Sequence, residues 1–176
     1  NGGSFIRKSD GLSDEVLIRQ IRKISQLELR DLCDEMIAVS SATARLAAKR
    51  ASSEQLTNLG KYISSLKEAT TRKARRQADA RFHIEIAVAS QSIRLTSSEI
   101  KLQAELGELN WIAPDGQDLI TGVEREHSHI LDAITAGDAN LAGALAEAHV
   151  NREIKRIMAI KLEIMAVNNK EVVEVV

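Results

Sequence analysis

The sequence predicts an all-α fold, an antiparallel bundle of six to seven helices. Three observations carry this expectation. Aromatic residues make up only 2% of the chain, so Leu, Ile, Val and Ala must fill the core. One proline and nine glycines in 176 residues leave few breaks. Between those breaks apolar residues recur every three or four positions, the period of a helix with one buried face. A hydrophobic fraction of 44% is enough to bury a core in one domain of this length.

The elements follow in order. Residues 1–10, Asn-Gly-Gly-Ser-Phe-Ile-Arg-Lys-Ser-Asp, read as a turn leading into a short strand, which could not stand alone. Ser13 reads as an N-cap, with Val16, Leu17 and Ile21 as the stripe of a first helix. A second helix runs from about Leu27 to Ala51, with Leu32, Met36, Val39, Thr43, Leu46 and Ala47 on one face. Ser52-Ser53-Glu54-Gln55 ends it and starts a third, whose stripe is Leu56, Leu59, Ile63 and Leu66. Thr70 and Thr71 open a fourth helix through about Ser90. After a break over Gln91–Thr96, a fifth runs to about Asn110. A turn around Pro114 precedes a sixth helix from about Gln117 to Ala136. Gly137 suits the end of that helix, and Asp138 or Asn140 caps the last, which reaches about Val167. The final residues, Lys170–Val176, read as a frayed end.

The bulk numbers exclude several function classes. A net charge of −1 and a pI near 6.5 leave no electrostatic footprint for nucleic acid. No apolar run reaches the length of a transmembrane helix, and the first residues lack the regions of a signal peptide. Cys33 is the only cysteine, so no intrachain disulfide forms; this is compatible with a reducing cytoplasm. There is no Gly-rich phosphate loop, and no Ser or Cys nucleophile with an evident His partner.

The informative residues are Asp79, His83, His127 and His149. Asp79 and His83 lie four apart, on one face of a helix. His127 lies ten residues before Gly137, and His149 eleven after Asp138. At 1.5 Å per residue both are roughly 15 Å from the turn, so an antiparallel hairpin brings them to one level. Three imidazoles and a carboxylate on three helices form a plausible shell for a divalent transition metal. His129 faces away from His127. Glu124 and Glu126 each stand three before a histidine, but a di-iron centre needs the second Glu-x-x-His on another helix. Arg72, Lys73, Arg75, Arg76 and Arg81 read as a solvated basic face, with domain docking or an anion lure as alternatives. Trp111 reads as a lid or packing residue. Two rival functions remain at this point. One is a metal-dependent hydrolase, for which Glu124, Glu126 and Asp132 are the nearby carboxylates. The other is a metal-free helical interaction module.

Asp79-Ala-Arg-Phe-His83 followed by Ala89-Ser90 resembles the Asp-x-x-Phe-His … Ala-Ser motif of the FCD domain. That is the C-terminal ligand-binding domain of the FadR subfamily of GntR transcription regulators. Glu126-His127-Ser-His-Ile-Leu-Asp-Ala-Ile, Ala-Gly-Asp138, Ala142 and His149 resemble its second signature. Leu46-Ala47-Ala48-Lys-Arg-Ala51 resembles its early helices, and the likeness covers roughly residues 14–160. Gly2-Gly3-Ser4-Phe5-Ile6 resembles the last strand of a winged-helix wing. The resemblance implies a wing and linker remnant over 1–12, an effector-binding and dimerising domain over 13–168, and a tail over 169–176. It implies a homodimer in the cytoplasm, touching operator DNA only through a winged-helix domain outside this sequence. It implies no enzyme activity and no membrane association. It also implies a divalent metal on Asp79, His83, His127 and His149, zinc foremost, with nickel, manganese or iron conceivable. A small organic acid would sit on that metal. The chain departs from the family at Met36 and Ser40, where Arg and Glu are frequent, and at Ser92, where Asn is. Met36, Ser92 and Arg81 are the candidate effector contacts.

Overall fold

A computed structural model describes residues 14–107, 109–111 and 117–173. Among these there are seven α-helices, one 3₁₀ turn and no strand. The helices are α1 (Asp14–Lys23), α2 (Gln26–Arg50), α3 (Ser53–Glu68), α4 (Arg72–Ala89), α5 (Ile93–Glu105), α6 (Gln117–Thr135) and α7 (Ala139–Val173). The 3₁₀ turn is Leu109–Trp111. The expected wing remnant over 1–12, the Ser13 cap, the turn around Pro114 and the last three residues lie outside the described residues.

Local chemistry sets most boundaries. Ser25 and Glu28 form a capping box at the start of α2, and Ser52 and Gln55 form another at the start of α3. Thr71 caps α4 by accepting from Ala74 N. Asp138 caps α7, its carboxylate accepting from the backbone of Asn140 and Leu141. Helix α6 ends in a Schellman arrangement: Gly137 N donates to the Ile134 carbonyl and Asp138 N to the Ala133 carbonyl. Gly137 takes φ +73°, a conformation that suits glycine.

Three boundaries differ from the sequence expectation. Helix α5 begins at Ile93 instead of Thr96, because Ser92 caps it and the break between α4 and α5 is only Ser90–Ser92. Gln91 takes φ 53°, and its amide donates to the Arg50 carbonyl while Arg50 donates to the Ser90 carbonyl, both at 2.8 Å. These two bonds offset a strained non-glycine corner. Helix α5 also stops at Glu105, short of Asn110, which belongs to the 3₁₀ turn Leu109–Trp111. Helix α7 continues past Val167 to Val173; no Gly or Pro interrupts it there.

Helices α2 and α7 form the spine. Near the end of α2, Arg45 donates to the Asn140 side chain at the start of α7, at 2.9 Å. Late in α7, buried Lys161 donates to the carbonyls of Ile21 and Ile24, just before α2 begins. The two helices are therefore antiparallel. Helix α3 packs on α4 and α6, and α4 on α2 and α5.

Among the described residues the core forms three apolar clusters; Leu66, Ala78, Trp111, Ile120 and Val123 make the smallest, and the other two meet at the polar residues. One apolar cluster joins Ala44, Ala47, Leu59, Ile63, Phe82, Ile86, Ile130, Ile134 and Ala146. The other joins Ile21, Leu29, Cys33, Met36, Val39, Leu102, Leu106, Val150 and Ile157. His83 directly follows Phe82, and His149 directly precedes Val150, so the polar residues lie at the seam. No helix among the described residues is long and apolar enough to cross a membrane.

The Schellman turn sets the register in which α6 faces α7. A Cβ at Gly137 would meet only the Ala48 carbonyl, at 3.7 Å, so the cost of Gly137→Ala comes from φ alone. Urea unfolding is expected to show a loss of roughly 1–2 kcal/mol. An unchanged midpoint and slope would mean that the turn is not held in this conformation.

Candidate metal centre

Asp79 and His83 project from α4, His127 from α6 and His149 from α7. All four are buried, and the two later histidines are fully so. The Nε2 atoms of His83 and His127 each lie 3.3 Å from His149 Nε2. Asp79 Oδ1 stands 3.5 Å from His127 Nε2 and 3.9 Å from His83 Nε2. The hairpin arithmetic and the i, i+4 spacing thus bring all four side chains together. His129 is exposed.

The donor set fits a cation better than it fits itself. Donor atoms bound at about 2.1 Å to a common ion are roughly 3–3.5 Å from one another, close to the separations here. His149 Nδ1 lies 2.7 Å from Glu126 Oε2, which keeps the proton on Nδ1 and turns the Nε2 lone pair inward. Arg152 Nε lies 2.6 Å from the other Glu126 oxygen. Burial alone would raise Glu126, but His149 and Arg152 outweigh it and lower it from the ordinary 4.5. Trp111 Nε1 donates to Asp79 Oδ2 at 3.1 Å. That bond leaves Oδ1, which has no hydrogen-bond partner, facing the imidazoles. Phe82 stacks on His127 with centroids 3.9 Å apart and planes 13° apart, fixing the ring. Trp111 is therefore a packing residue that also aims a carboxylate.

Two residues the sequence reading passed over complete the site. Glu153 follows His149 by four on α7, and its Oε1 lies 3.6 Å from His149 Nε2. Asn110 donates to Glu153 Oε1 at 3.0 Å. The i, i+4 spacing that singled out Asp79 and His83 applies equally to His149 and Glu153, so the signal was present in the sequence. Burial, aided by Asp79 and Glu99 and opposed by His83 and Arg156, pushes Glu153 up to about 8.

The proposed effector contacts are not gathered here. Met36 is buried in the second apolar cluster, Arg81 is exposed, and Ser92 caps α5. A cavity of about 10 Å³ beside the histidines is lined instead by Ser40, Thr43, His83, Glu99 and His149 with apolar neighbours. It has room for about one water. The Ser40 hydroxyl has no hydrogen-bond partner, and Glu99 accepts from Gln103 at 2.9 Å. The carboxylates considered for a hydrolase are occupied or remote. Glu124 pairs with Lys67 at 3.2 Å, Glu126 holds His149, and Asp132 is exposed.

Comparison with known proteins decides the family. The sequence profile of the FCD domain matches residues 31–152. The chain belongs to the FCD family. This FCD domain is 33% identical over 165 residues to a Mycobacterium gastri protein named as an HTH-type transcriptional regulator, RmpR; the match covers 92% of this chain and 60% of that protein. The chain thus spans about 60% of the length of that curated relative. E. coli McbR/YncC superposes with a TM-score of 0.64 at 14% identity, covering 85% of this chain and 78% of that one. That likeness supports the all-α bundle. The M. gastri relative is named as a transcriptional regulator, which favours the regulator reading over the hydrolase.

One consequence of the FCD centre concerns acid. Burial above all, then His149, His83 and Arg156, holds His127 well below its ordinary 6.5. As pH falls, the unfolded chain takes up this proton first. The contribution of His127 to stability is therefore intact above about 6.5 and is lost as pH drops below it. Glu153, raised in the fold, acts in the opposite sense. The two groups oppose each other between about pH 7.5 and about pH 5.5, so the expectation is differential: as pH falls through this window, metal-free wild type is expected to lose thermal stability relative to His127→Gln, which lacks the imidazole. Equal losses in thermal melts of the two proteins would contradict this account.

Proposed function

We propose that this FCD domain is the signal-sensing and dimerising part of a bacterial GntR-type, FadR-subfamily transcription regulator. In this reading Asp79, His83, His127 and His149 hold a divalent metal that anchors a small carboxylate effector in the cytoplasm. Contact with operator DNA would fall to a winged-helix domain outside this sequence. The single observation behind the metal is the convergence of three imidazole Nε2 atoms with Asp79 Oδ1, a buried oxygen without a hydrogen-bond partner.

When bound, the metal supplies a Lewis acid for an anionic oxygen. Zinc is the first expectation from three histidines and one aspartate, and nickel, manganese or iron accept the same donors. The chain does the rest. Glu126 orients His149, Trp111 orients Asp79, and Phe82 holds the plane of His127. The cavity beside them admits about one water, so a carboxylate would have to widen it. A ligand that binds the widened arrangement better shifts the population toward it, and a dimer can pass that shift to attached domains.

Protein purified without a His tag and reconstituted with metal is expected to hold about one equivalent per chain. Less than about 0.1 equivalent after reconstitution would sink the proposal. His127→Ala and His149→Ala are each expected to weaken metal binding by at least about tenfold, with circular dichroism unchanged. Unaltered effector titrations in both variants would count against the effector role.

A further inference from the structure

We propose that Glu153 is a fifth protein ligand, so that the centre comprises three imidazoles and two carboxylates and an incoming carboxylate must take the place of Glu153. This deepens the metal reading above and rests on it.

The geometry is that of a ligand. Glu153 is 1% exposed, and one of its oxygens lies within 4.8 Å of the donor atoms of both Asp79 and His83. Its Oε1 is 3.6 Å from His149 Nε2, a separation like those among the other donors. Glu153 Oε2 is buried and has no hydrogen-bond partner. The Arg156 guanidinium is 3.8 Å from Oε1, at the outer edge of ion-pair range. A buried carboxylate next to Asp79 and Glu99 is costly unless a cation compensates it. A metal shared with Asp79 would provide that compensation.

The arrangement also has an order. Helix α4 offers Asp79 four residues before His83, and α7 offers Glu153 four residues after His149. Each of these two helices therefore presents one carboxylate and one imidazole on a single face. The 3₁₀ turn steadies both carboxylates with successive side chains, Asn110 on Glu153 and Trp111 on Asp79.

Three consequences distinguish five ligands from four. Two carboxylates neutralise a divalent charge, so a free anion gains less on arriving. Five protein donors suit metals of higher coordination number and oxygen preference, such as manganese, better than a tetrahedral ion. One remaining position admits a single water, which agrees with the small cavity. A carboxylate that binds in two-point fashion must displace Glu153, trading one carboxylate for another.

The test is calorimetric titration of Mn²⁺ and Zn²⁺ into metal-free wild type and Glu153→Gln, followed by acetate and citrate into each metal-loaded protein. Glutamine keeps the size of the side chain and an oxygen for Asn110. The variant is expected to lose at least about tenfold in Mn²⁺ affinity and less in Zn²⁺ affinity, and to bind citrate more tightly than wild type. Affinities for both metals within about twofold of wild type, in a protein that does bind metal, overturn the proposal. Absence of binding to wild type would instead overturn the metal reading itself. The visible spectrum of Co²⁺-loaded wild type needs no variant to fold. A four-coordinate spectrum overturns the proposal, and a five- or six-coordinate one supports it.

Discussion

Burying a cluster of imidazoles and carboxylates inside an aliphatic bundle is the constraint around which this molecule is arranged. Each such group loses its hydration on folding, and an unpaired one costs several times what a buried methyl group contributes. The chain concentrates the polar groups at one seam between apolar clusters, where several pair with one another while Asp79 Oδ1 and Glu153 Oε2 stay without a hydrogen-bond partner. His149 is the hinge of that economy. Its inner nitrogen faces His83 and His127, and its outer nitrogen faces Glu126. Because α7 carries His149 between Ala146 of one cluster and Val150 of the other, the seam is fixed by packing on both sides.

The surroundings of the cluster are as specific as its centre. Glu126 reaches outward to Arg152, so charge passes from the interior toward solvent in a chain of close contacts. Phe82 contributes a flat face where a freely rotating aliphatic side chain would leave His127 undirected. Lys161, buried far along α7, ties the same helix to the end of α1. A helix anchored at both ends and packed in its middle holds its side chains to fixed positions, which a donor set of this kind requires.

Much of this was legible in the sequence. Six to seven helices follow from apolar spacing, and helix starts at Ser52–Gln55, at Thr70 and Thr71, and at Asp138 or Asn140 follow from residue type. The meeting of His127 with His149 followed from their equal distance to Gly137, since helix rise is constant. Partner choice was less legible. Trp111 suggested packing, and only the fold shows its indole nitrogen on Asp79, because that bond joins residues far apart in the chain. Ser92 was aligned as an effector position, yet the local need of α5 for a cap claims its hydroxyl. Met36 stands where the family often has a charge; among Cys33, Val39 and Leu102 it is simply core. Glu153 stands four residues after His149, but that spacing alone does not separate a buried glutamate from a solvated one; its burial shows only in the fold.

The 3₁₀ turn Leu109–Trp111 looks like a minor irregularity after α5, but it has an evolutionary meaning. Asn110 serves Glu153 and Trp111 serves Asp79, so two adjacent positions in one short turn answer to two distant acids. Selection on each position is then tied to its own acid. A lineage that replaces the glutamate at 153 by an apolar residue removes the reason for an amide at 110, while the tryptophan at 111 stays bound to its aspartate. Across relatives, positions 110 and 153 should drift as a pair and positions 79 and 111 as another. An alignment in which the two pairs vary independently within themselves would show that this coupling is weak.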